Sequence, residues 1–347
     1  MTERKNLITK LSDDDYQTDI LQDVSRTFAL TIPQLPERLC RVVSNAYLLC
    51  RIADTIEDDK HMSSEQKTHF AEQFINVVNG EEEAKVFSEA LYPLLSPTAT
   101  AAEHDLIANT KPVIRITHSF NARQRAALER CVKIMAEGMA RYQDAETLDG
   151  VADLNDMGQY CYYVAGVVGE MLTELFCDYC PAIDTQRNEM MKLAVSFGQG
   201  LQMTNILKDI WEDHHRGACW MPRDIFNKHG VDITNKMPGN NAKGFEDAYL
   251  ELLSVAYGHL NNALEYTLNI PKEEIGLRKF CLWSIGMAVL TLEKIRQHPN
   301  FTSGQEVKIT RLNVKITVFL TSIAVKNNAI LRILFNYCGR KLTKIKN

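Results

Sequence analysis

The feature that most limits the fold of this chain is an apolar pattern that recurs every three to four residues over long stretches. In "ERLCRVVSNAYLLCRIADTI" (37–56) the apolar side chains return on one side of a helix. The same period runs through "ALERCVKIMAEGMARY", "DMGQYCYYVAGVVGEMLTELF", "EMMKLAVSFGQGLQMTNILKDIWED" and "RKFCLWSIGMAVLTLEKIRQ". Alternating strand patterns are hard to find, and 17 glycines and 10 prolines in 347 residues leave room for few turns. The sequence therefore predicts an all-α protein built from long helices.

Composition excludes several classes of function. Apolar residues make up 45% of the chain and charged residues 24%, which is a globular balance with enough carbon for a sizeable core. The net charge of −5 argues against non-specific nucleic-acid binding, because that binding needs a basic face. The start of the chain, "MTERKNLITKLSDDD", has no apolar segment of a secretory signal, and the nine cysteines follow no disulfide spacing. These features predict a cytoplasmic protein with reduced thiols.

Two acidic pairs, each with its members one helical turn apart, lie in long apolar helical stretches. Asp54 and Asp58 belong to "RIADTIEDD", and Asp209 and Asp213 belong to "LKDIWED", 155 residues later. Like charges at this spacing destabilise a helix by roughly 0.2–0.5 kcal/mol, so a solvated face is one explanation. With 44 acidic residues in the chain, chance alone gives about five or six such pairs. The spacing becomes informative because each pair also has a basic neighbour.

The basic neighbours indicate what the acidic pairs bind. Arg51 precedes the first pair by three residues, and Lys208 is adjacent to the second. If the two helices face each other, four carboxylates line one apolar cavity and repel strongly unless a cation lies between them. Mg²⁺ prefers one or two carboxylates together with substrate phosphates, and the basic side chains suit the remaining phosphate oxygens. The pattern predicts Mg²⁺-assisted departure of a diphosphate into an apolar cavity.

Four stretches carry a resemblance to a known family. "SRTFAL", "YLLCRIADTIEDD", "YCYYVAGVVGE" and "LQMTNILKDIWED" occur in the order and at the spacing of the squalene/phytoene synthase family. The resemblance covers roughly residues 20–300. It implies a single-domain, all-α terpenoid synthase (isoprenoid synthase) fold with a central cavity. We expect an N-terminal segment at 1–19, a catalytic domain at 20–300, and a cofactor loop with a basic helical tail at 301–347.

The resemblance also implies a reaction and its site residues. Family members join two identical prenyl diphosphates head to head through a cyclopropylcarbinyl diphosphate. Carried over to this chain, the metal ligands are Asp54, Asp58, Asp209 and Asp213. The side chains expected on the diphosphate are Arg26, Arg51, Gln202, Lys208, Asn205 and Arg216. Ala218 stands where many members have an arginine, so Arg216 is expected to substitute for it.

Tyr47 and Tyr160 are the two tyrosines that the resemblance places near the reacting carbons. A phenol ring can stabilise cationic charge, and its hydroxyl can relay a proton. The alternative for either residue is packing in a helix interface with a bonded hydroxyl. Gly166 and Gly169, one turn apart, could serve either close helix packing or substrate clearance.

The family has a branch that ends with loss of a proton and a branch that reduces the rearranged cation with NADPH. "DTIEDD", "YCYYVAGVVG" and "GQEVKITR" (304–311) are more similar to the reducing branch, which makes squalene from farnesyl diphosphate. Lys308 and Arg311 are the side chains expected on the phosphates of NADPH. The chain has no strand–glycine–helix fingerprint for a dinucleotide, so the cofactor would bind in another way. A basic surface loop is the alternative explanation for these residues.

The end of the chain raises the question of a membrane. "ITVFLTSIAV" (316–325) is too short to span a bilayer, but Lys326, Arg332 and the tail "GRKLTKIKN" form a basic, partly amphipathic end. Peripheral contact with an anionic membrane surface and simple packing on the core both fit this pattern.

The sequence thus predicts Mg²⁺- and NADPH-dependent condensation of two farnesyl diphosphates to squalene. A phytoene- or dehydrosqualene-type synthase that needs no NADPH is the alternative within the family. A non-catalytic helical binding protein of the same fold is the alternative outside it, although all four aspartates are present. The accepted prenyl chain length stays open, because it depends on the depth of the cavity.

Overall fold

The computed structural model of the chain describes residues 12–25, 27–142, 147–234 and 244–343. Within these ranges it contains helices and no strand, which confirms the predicted all-α class, and one isolated β-bridge pairs Val151 with Pro222. In chain order the α-helices are α1 (Asp13–Val24), α2 (Phe28–Thr31), α3 (Glu37–Glu57), α4 (Ser64–Asn79), α5 (Ala84–Leu91), α6 (Ala101–Ala108), α7 (Thr110–Ser119), α8 (Ala122–Ala140), α9 (Leu154–Cys161), α10 (Val167–Tyr179), α11 (Pro181–Asp184), α12 (Arg187–Lys208), α13 (Ile210–Arg216), α14 (Arg223–Lys228), α15 (Phe245–Asn269), α16 (Ile275–Gln297), α17 (Arg311–Ala324) and α18 (Asn328–Gly339).

Two compact units make up the fold. The first lies within residues 1–143 and 171–184, and the second within residues 144–170 and 185–347. The first unit therefore holds α1–α8 and α11, the second holds α9 and α12–α18, and α10 begins in the second and ends in the first. Each unit carries one of the two acidic pairs.

Helix α3 is the centre of the first unit. Thirteen of its 21 residues are buried, and it packs against α1, α4, α6, α7 and α8. The apolar stripe predicted from the sequence supplies that buried side, with Leu39, Val42, Ala46 and Leu49 each at most 2% exposed. Four of the surrounding helices begin with a capping box, in which the N-cap side chain and the third helical residue bond each other's backbone N–H. The N-cap residues are Ser12, Ser63, Thr100 and Asn121.

Helices α12 and α15 form the main packing contact of the second unit, and a π-helical turn packs on α12 from another side. That turn spans Tyr162–Gly166 and separates α9 from α10. Glycines allow the close approach: a Cβ on Gly198 would lie 2.1 Å from the carbonyl oxygen of Ala165, and one on Gly169 would lie 2.1 Å from that of Ala194. The packing explanation for Gly169 is therefore supported.

The structure corrects two predicted helices and one predicted loop. The helix expected over residues 189–213 is divided at Asp209, which lies between α12 and α13. The helix expected over residues 156–176 contains the π-helical turn. The sequence also predicts a long loop at residues 221–244, but this stretch includes a short helix, α14, and its part at 235–243 lies outside the described residues.

Helix α16 is long and apolar enough to cross a membrane by length and composition. However, 67% of its apolar window is buried, and it packs against α12, α15, α17 and α18. Its hydrophobicity is therefore explained by its position in the core of the second unit. All nine cysteines are free thiols, as predicted.

Candidate functional site

The first acidic pair lies at the end of α3, next to an arginine that is held in place by a tyrosine. The Nη2 of Arg51 donates to the Tyr47 hydroxyl at 2.9 Å, and that hydroxyl donates to the carbonyl oxygen of Val24 at 3.1 Å. The guanidinium also lies 5.7 Å from the centre of the Tyr47 ring, and Glu103 is 3.9 Å away. The Nε of Arg51 is buried and has no hydrogen-bond partner among the described residues, so this cation has an unused donor.

Asp54 is the carboxyl group of this pair whose pKa is shifted by its surroundings. Part of its surface is accessible to water, but it lies deep among protein atoms, and this burial raises the pKa of its carboxyl to about 7. Arg51 opposes the shift, whereas Asp58 and Glu103 add to it by charge repulsion. Burial disfavours the charged form of Arg51, but the neighbouring Asp54, Tyr47 and Glu103 still hold its pKa above the ordinary value. Glu103 joins this site from α6, which the sequence pattern did not predict.

The two aspartates that follow have different roles. Asp58 is exposed and is the C-cap of α3, with its backbone N–H on the carbonyl oxygen of Asp54. Asp59 is buried, and its carboxylate accepts backbone N–H groups of His61 at 2.8 Å, Met62 at 3.0 Å and Ser96 at 2.6 Å. Asp59 therefore anchors the following loop, and Asp54 and Asp58 stay the predicted metal ligands.

The second acidic pair lies on both sides of the break between α12 and α13, and each member pairs with a cation of its own motif. Lys208 Nζ is 2.9 Å from Asp209 Oδ2. Arg216 Nη2 donates to Oδ1 of Asp213, whose side chain is 9% exposed. Arg216 thus stands beside the acidic pair, and its role on the diphosphate in place of the usual arginine stays a prediction. Ala218 itself is buried.

The other predicted polar side chains of this motif lie on the preceding turns of α12. Gln202 is half-buried, and Asn205 is exposed one turn before Asp209. The backbone N–H of Asp209 donates to the carbonyl oxygen of Asn205 at 2.9 Å. Arg26, the remaining predicted phosphate ligand, lies outside the described residues.

A tyrosine from another helix contacts the chain at the break between α12 and α13, and the sequence pattern did not indicate this contact. Carbonyl groups in the last turn of a helix need hydrogen-bond donors from outside the helix. The Tyr249 hydroxyl, from α15, donates to the carbonyl oxygen of Leu207 in that turn. Burial, together with the nearby Asp209 charge, raises the pKa of Tyr249 well above its ordinary value, so the hydroxyl keeps its proton. Tyr249 therefore holds the end of α12 in position.

A loop that precedes α17 packs directly on the second acidic pair. Oε1 of Glu212 accepts the Ser303 hydroxyl at 3.0 Å and the backbone N–H of Gly304 at 2.8 Å. A Cβ on Gly304 would lie 2.8 Å from Oδ1 of Asp209 and 3.0 Å from the carbonyl oxygen of Lys208, so the loop approaches the second acidic pair closely. Oε2 of Glu212 is buried without a hydrogen-bond partner among the described residues. Glu212 thus ties the start of the predicted cofactor loop to the predicted metal site.

Lys308 and Arg311, the predicted cofactor residues, are both exposed at the end of that loop. The backbone oxygen of Lys308 accepts from Lys294 Nζ at 2.6 Å, which fixes the loop to α16 and leaves the Lys308 side chain in solvent. Arg311 opens α17, where Thr310 is the N-cap. Two cations beside a helix N-terminus suit the phosphate groups of a dinucleotide.

Tyr160 is buried at the end of α9 and stacks on Trp220. Their ring centres are 3.7 Å apart and the planes differ by 8°. Tyr47 is half-buried and hydrogen-bonded. Both tyrosines therefore have packing contacts, and their place near the reacting carbons stays a prediction.

The donor set at the two acidic pairs fits Mg²⁺. The candidate ligands are carboxylate oxygens, which hard divalent cations prefer. Among the described residues no group of three or more His, Cys, Asp or Glu side chains could hold a metal by itself. Mg²⁺ commonly takes one or two carboxylates and completes its shell with substrate phosphates and water. The raised pKa of Asp54 fits as well, because a bound cation would stabilise the charged form.

Comparison with solved structures defines the class of fold. The TcSQS structure with the ligand BPH1237 superposes with a TM-score of 0.72 at 22% identity, over 96% of this chain and 99% of that one. A dehydrosqualene synthase in complex with a ligand gives a TM-score of 0.67 at 19% identity, over 90% and 96%. The protein has the isoprenoid synthase fold.

Sequence comparison identifies the family. The squalene/phytoene synthase family model matches residues 21–313. The chain is 31% identical over 297 residues to a squalene synthase of Gibberella zeae, and 28% identical over 290 residues to one of Cochliobolus lunatus. These matches cover 84% and 83% of this chain but 59% and 66% of the relatives, so the chain spans less than two thirds of their length. The chain belongs to the squalene/phytoene synthase family, as the resemblance predicted.

Proposed function

We propose that the protein is an Mg²⁺- and NADPH-dependent farnesyl-diphosphate farnesyltransferase that makes squalene from two farnesyl diphosphates. The observation that carries the proposal is the pairing of acidic and basic groups in each unit: Asp54 with Arg51, and Asp209 with Lys208. A carboxylate for a metal beside a cation for phosphate is the arrangement that ionisation of a prenyl diphosphate needs. The squalene synthases of Gibberella zeae and Cochliobolus lunatus support the choice of product.

The acidic pairs and their basic neighbours act on the leaving group. Mg²⁺, held by Asp54, Asp58, Asp209 and Asp213, would neutralise charge on the departing diphosphate. Arg51 has an unbonded Nε and can donate to a phosphate oxygen without giving up Tyr47. Lys208 and Arg216 can exchange their own carboxylate partners for phosphate when those carboxylates take up other ligands. Gln202, Asn205 and Arg26 are proposed to add further hydrogen bonds.

The tyrosines act on the carbon skeleton. In the proposal, the Tyr47 ring shields cationic charge, and its hydroxyl relays the proton lost from carbon to an oxygen of the departed diphosphate. The stack of Tyr160 on Trp220 fixes the face of an aromatic surface, which stabilises a carbocation through its π electrons. Hydrogen bonds with Arg51 and the carbonyl of Val24 hold Tyr47, and the stack on Trp220 holds Tyr160, so both rings are oriented before substrate binds.

NADPH, held by Lys308 and Arg311, would supply the hydride that reduces the rearranged cation. The support is the exposure of both cations and the hydrogen bonds from Ser303 and Gly304 that fix the loop to Glu212. Because the loop is tied to the second acidic pair, the reductive step would take place close to the site where the diphosphate departs.

Product analysis tests the proposal. The purified protein is incubated with Mg²⁺ and either farnesyl or geranylgeranyl diphosphate, each with and without NADPH, and the hydrocarbons are separated by gas chromatography. We expect squalene with farnesyl diphosphate and NADPH, and a cyclopropylcarbinyl diphosphate or its rearranged alcohols when NADPH is left out. A desaturated C30 or C40 hydrocarbon formed at full rate without NADPH would establish the phytoene- or dehydrosqualene-type alternative instead. No turnover with either substrate would favour a non-catalytic binding protein.

A further inference from the structure

The last two helices carry most of the exposed large apolar side chains of the described residues. Eleven such side chains occur, and eight of them lie on α17 and α18. These eight, here called the apolar face, are Leu312, Ile316, Phe319, Leu320, Ile323, Ile330, Ile333 and Tyr337. Soluble surfaces seldom group apolar residues in this way, and a contiguous patch marks an interaction site.

On α17 the apolar face forms one stripe. The exposed residues follow the first at intervals of four, seven, eight and eleven positions, which a helix of 3.6 residues per turn brings to one side. Ile323 is 70% exposed and Phe319 is 64% exposed. The opposite side holds Thr317 and Ala324, which are buried, and Thr317 reaches the surface of Gly286 in α16. The stripe therefore points away from the core.

Helix α18 has the same division. Ile330, Ile333 and Tyr337 follow one another at three and four residues and are exposed, with Ile333 at 66%. Leu331 and Phe335 are buried on the other side, where the Phe335 ring stacks on Tyr257 at 5.0 Å. Because α17 and α18 contact each other and both pack on α16, the two stripes belong to one helical pair.

The segment that carries the apolar face is basic, and one of its cations, Arg332, pairs with Glu265 of α15. Residues 307–347 contain six lysines and three arginines and no aspartate or glutamate. The whole chain has a net charge of −5, so this segment carries +9 and the remainder carries −14. Lys315, on α17, and Lys326, between the two helices, are exposed close to the apolar stripes. The partner of this face must therefore accept apolar side chains and also be negatively charged.

We propose that the α17–α18 apolar face docks on the surface of an anionic lipid bilayer. Helices with an apolar stripe and basic flanks lie in the plane of the interface, with the stripe about 5–10 Å below the headgroups. Each lysine or arginine near an anionic surface strengthens the association. A second copy of the chain fits less well, because it would bring two segments of charge +9 together.

A vesicle co-sedimentation experiment tests the docking surface. The full chain is mixed with vesicles of phosphatidylcholine alone or of phosphatidylcholine with phosphatidylserine, and the bound fraction is measured at low and high salt. We expect binding to the phosphatidylserine vesicles that weakens as salt rises, because screening shortens the reach of the charges. Phe319→Ser, Ile323→Ser and Ile333→Ser, combined in one variant, should reduce the partition coefficient at least about tenfold. Lys315→Gln with Lys326→Gln should reduce it about tenfold or more.

Matched controls separate docking from general damage. Val86→Ser removes an apolar side chain that is 57% exposed in the first unit, and Lys111→Gln removes an exposed lysine there; neither should change binding. Circular dichroism should show unchanged helicity and Tm for every variant, because all these side chains are exposed. Unchanged vesicle binding by the triple variant would overturn the proposal, even if the lysine variant is impaired. Sedimentation equilibrium gives the outcome that would assign the face to a second copy. In that outcome the unchanged protein is a dimer that does not bind vesicles, and the triple variant is a monomer.

Discussion

At the scale of single residues, three aspartates within six positions have three different environments. Asp54 lies deep beside Arg51, Asp58 is exposed at the helix end, and Asp59 binds three backbone N–H groups. The burial of Asp54 costs stability, as its raised pKa shows, whereas the hydrogen bonds of Asp59 contribute stability. In the proposed function, catalysis and folding therefore depend on different carboxylates of one short segment, and substitution can separate the two roles.

The first prediction uses this contrast. Asp54→Asn should abolish condensation while leaving the Tm unchanged or higher, because it removes a partly desolvated charge next to like charges. Asp59→Ala should leave three backbone donors without an acceptor and lower the free energy of unfolding by about 3 kcal/mol. Thermal melts and product assays of the two variants check the prediction. Substantial turnover by Asp54→Asn in Mg²⁺ would remove Asp54 from the metal site.

The second prediction concerns the cofactor residues. Lys308→Ala and Arg311→Ala should each weaken NADPH use about ten- to a hundredfold, because a charge-assisted hydrogen bond contributes roughly 1.5–3 kcal/mol. Formation of the cyclopropylcarbinyl diphosphate should continue, since neither residue belongs to an acidic pair. Steady-state kinetics with varied NADPH measure the effect, and Lys272→Ala is the control, an exposed lysine in the turn before α16. An unchanged apparent affinity for NADPH would assign that side chain to an ordinary surface loop.

At the scale of helices, glycines decide how closely α12 approaches its neighbours. Gly198 meets the carbonyl of Ala165, whereas Gly258, on α15, has no atom within 4 Å of the position of an added Cβ. Both residues lie inside helices, so alanine improves the intrinsic helix propensity at either position. The two sites therefore differ only in the free space available to an added methyl group.

The third prediction compares alanine at these two glycines. Gly198→Ala should lower the free energy of unfolding by about 1–3 kcal/mol, because the methyl group forces α12 away from the π-helical turn. Gly258→Ala should raise it by about 0.5–1 kcal/mol, because open space leaves only the propensity gain. Urea unfolding of both variants measures the difference. Equal stability of the two variants would mean that the helices can separate without loss.

A charge cluster joins α14 to α15. Glu251 accepts hydrogen bonds from Lys228 Nζ at 2.9 Å and from His229 Nε2 at 2.8 Å. Burial acts to raise the pKa of Glu251, but these bonds outweigh it and hold the pKa below the ordinary value. A lowered pKa in the folded state stabilises the protein above the ordinary carboxyl pKa of about 4.3. That contribution is lost as pH falls through the folded-state pKa.

The fourth prediction follows from the sign of this shift. Glu251→Gln should lower the Tm at pH 7, and the difference from the unchanged protein should shrink and vanish as the pH falls below about 4.3 and through the lowered folded-state pKa of Glu251. Melting curves from pH 7 to below that pKa test it. Glu89→Gln, which removes an exposed partner 3.7 Å from Lys85, should have little effect at either end of this range. A Tm difference for Glu251→Gln that persists at low pH would indicate lost packing rather than lost charge.

At the scale of the whole molecule, helical periodicity predicted the elements better than it predicted their interruptions. The pattern over residues 37–56 became α3, Glu37–Glu57, because its apolar stripe is buried along its length. Nothing local marks the break at Asp209, where no glycine or proline occurs. The partners of the site came from far along the chain, such as Ser303 on Glu212 and Tyr249 on Leu207. Periodicity within a single helix carries no signal for such contacts, so the sequence predicted the residues within each motif but not their partners from other helices.

The fifth prediction tests the metal and diphosphate site through stability. Mg²⁺ with inorganic diphosphate should raise the Tm by several degrees, since a ligand at a hundred times its Kd stabilises the native state by about 2.7 kcal/mol. Either component alone should do much less, because the acidic pairs need the cation and the cation needs phosphate oxygens. Differential scanning fluorimetry measures the shift, with Asp209→Asn as the comparison. An equal shift for Asp209→Asn would place diphosphate binding elsewhere.

The π-helical turn between α9 and α10 has a consequence for register. The backbone N–H of Val167 bonds to the carbonyl oxygen of Tyr162, five residues back, so the turn holds one residue more than an α-helical turn. One extra residue rotates the side chains of α9 by about 100° around the helix axis relative to those of α10. This offset lets Tyr160 meet Trp220 while Gly169 still meets Ala194. Removing one residue from the turn would give a regular, more stable helix in which the stacked tyrosine and the packing glycine can no longer both reach their partners.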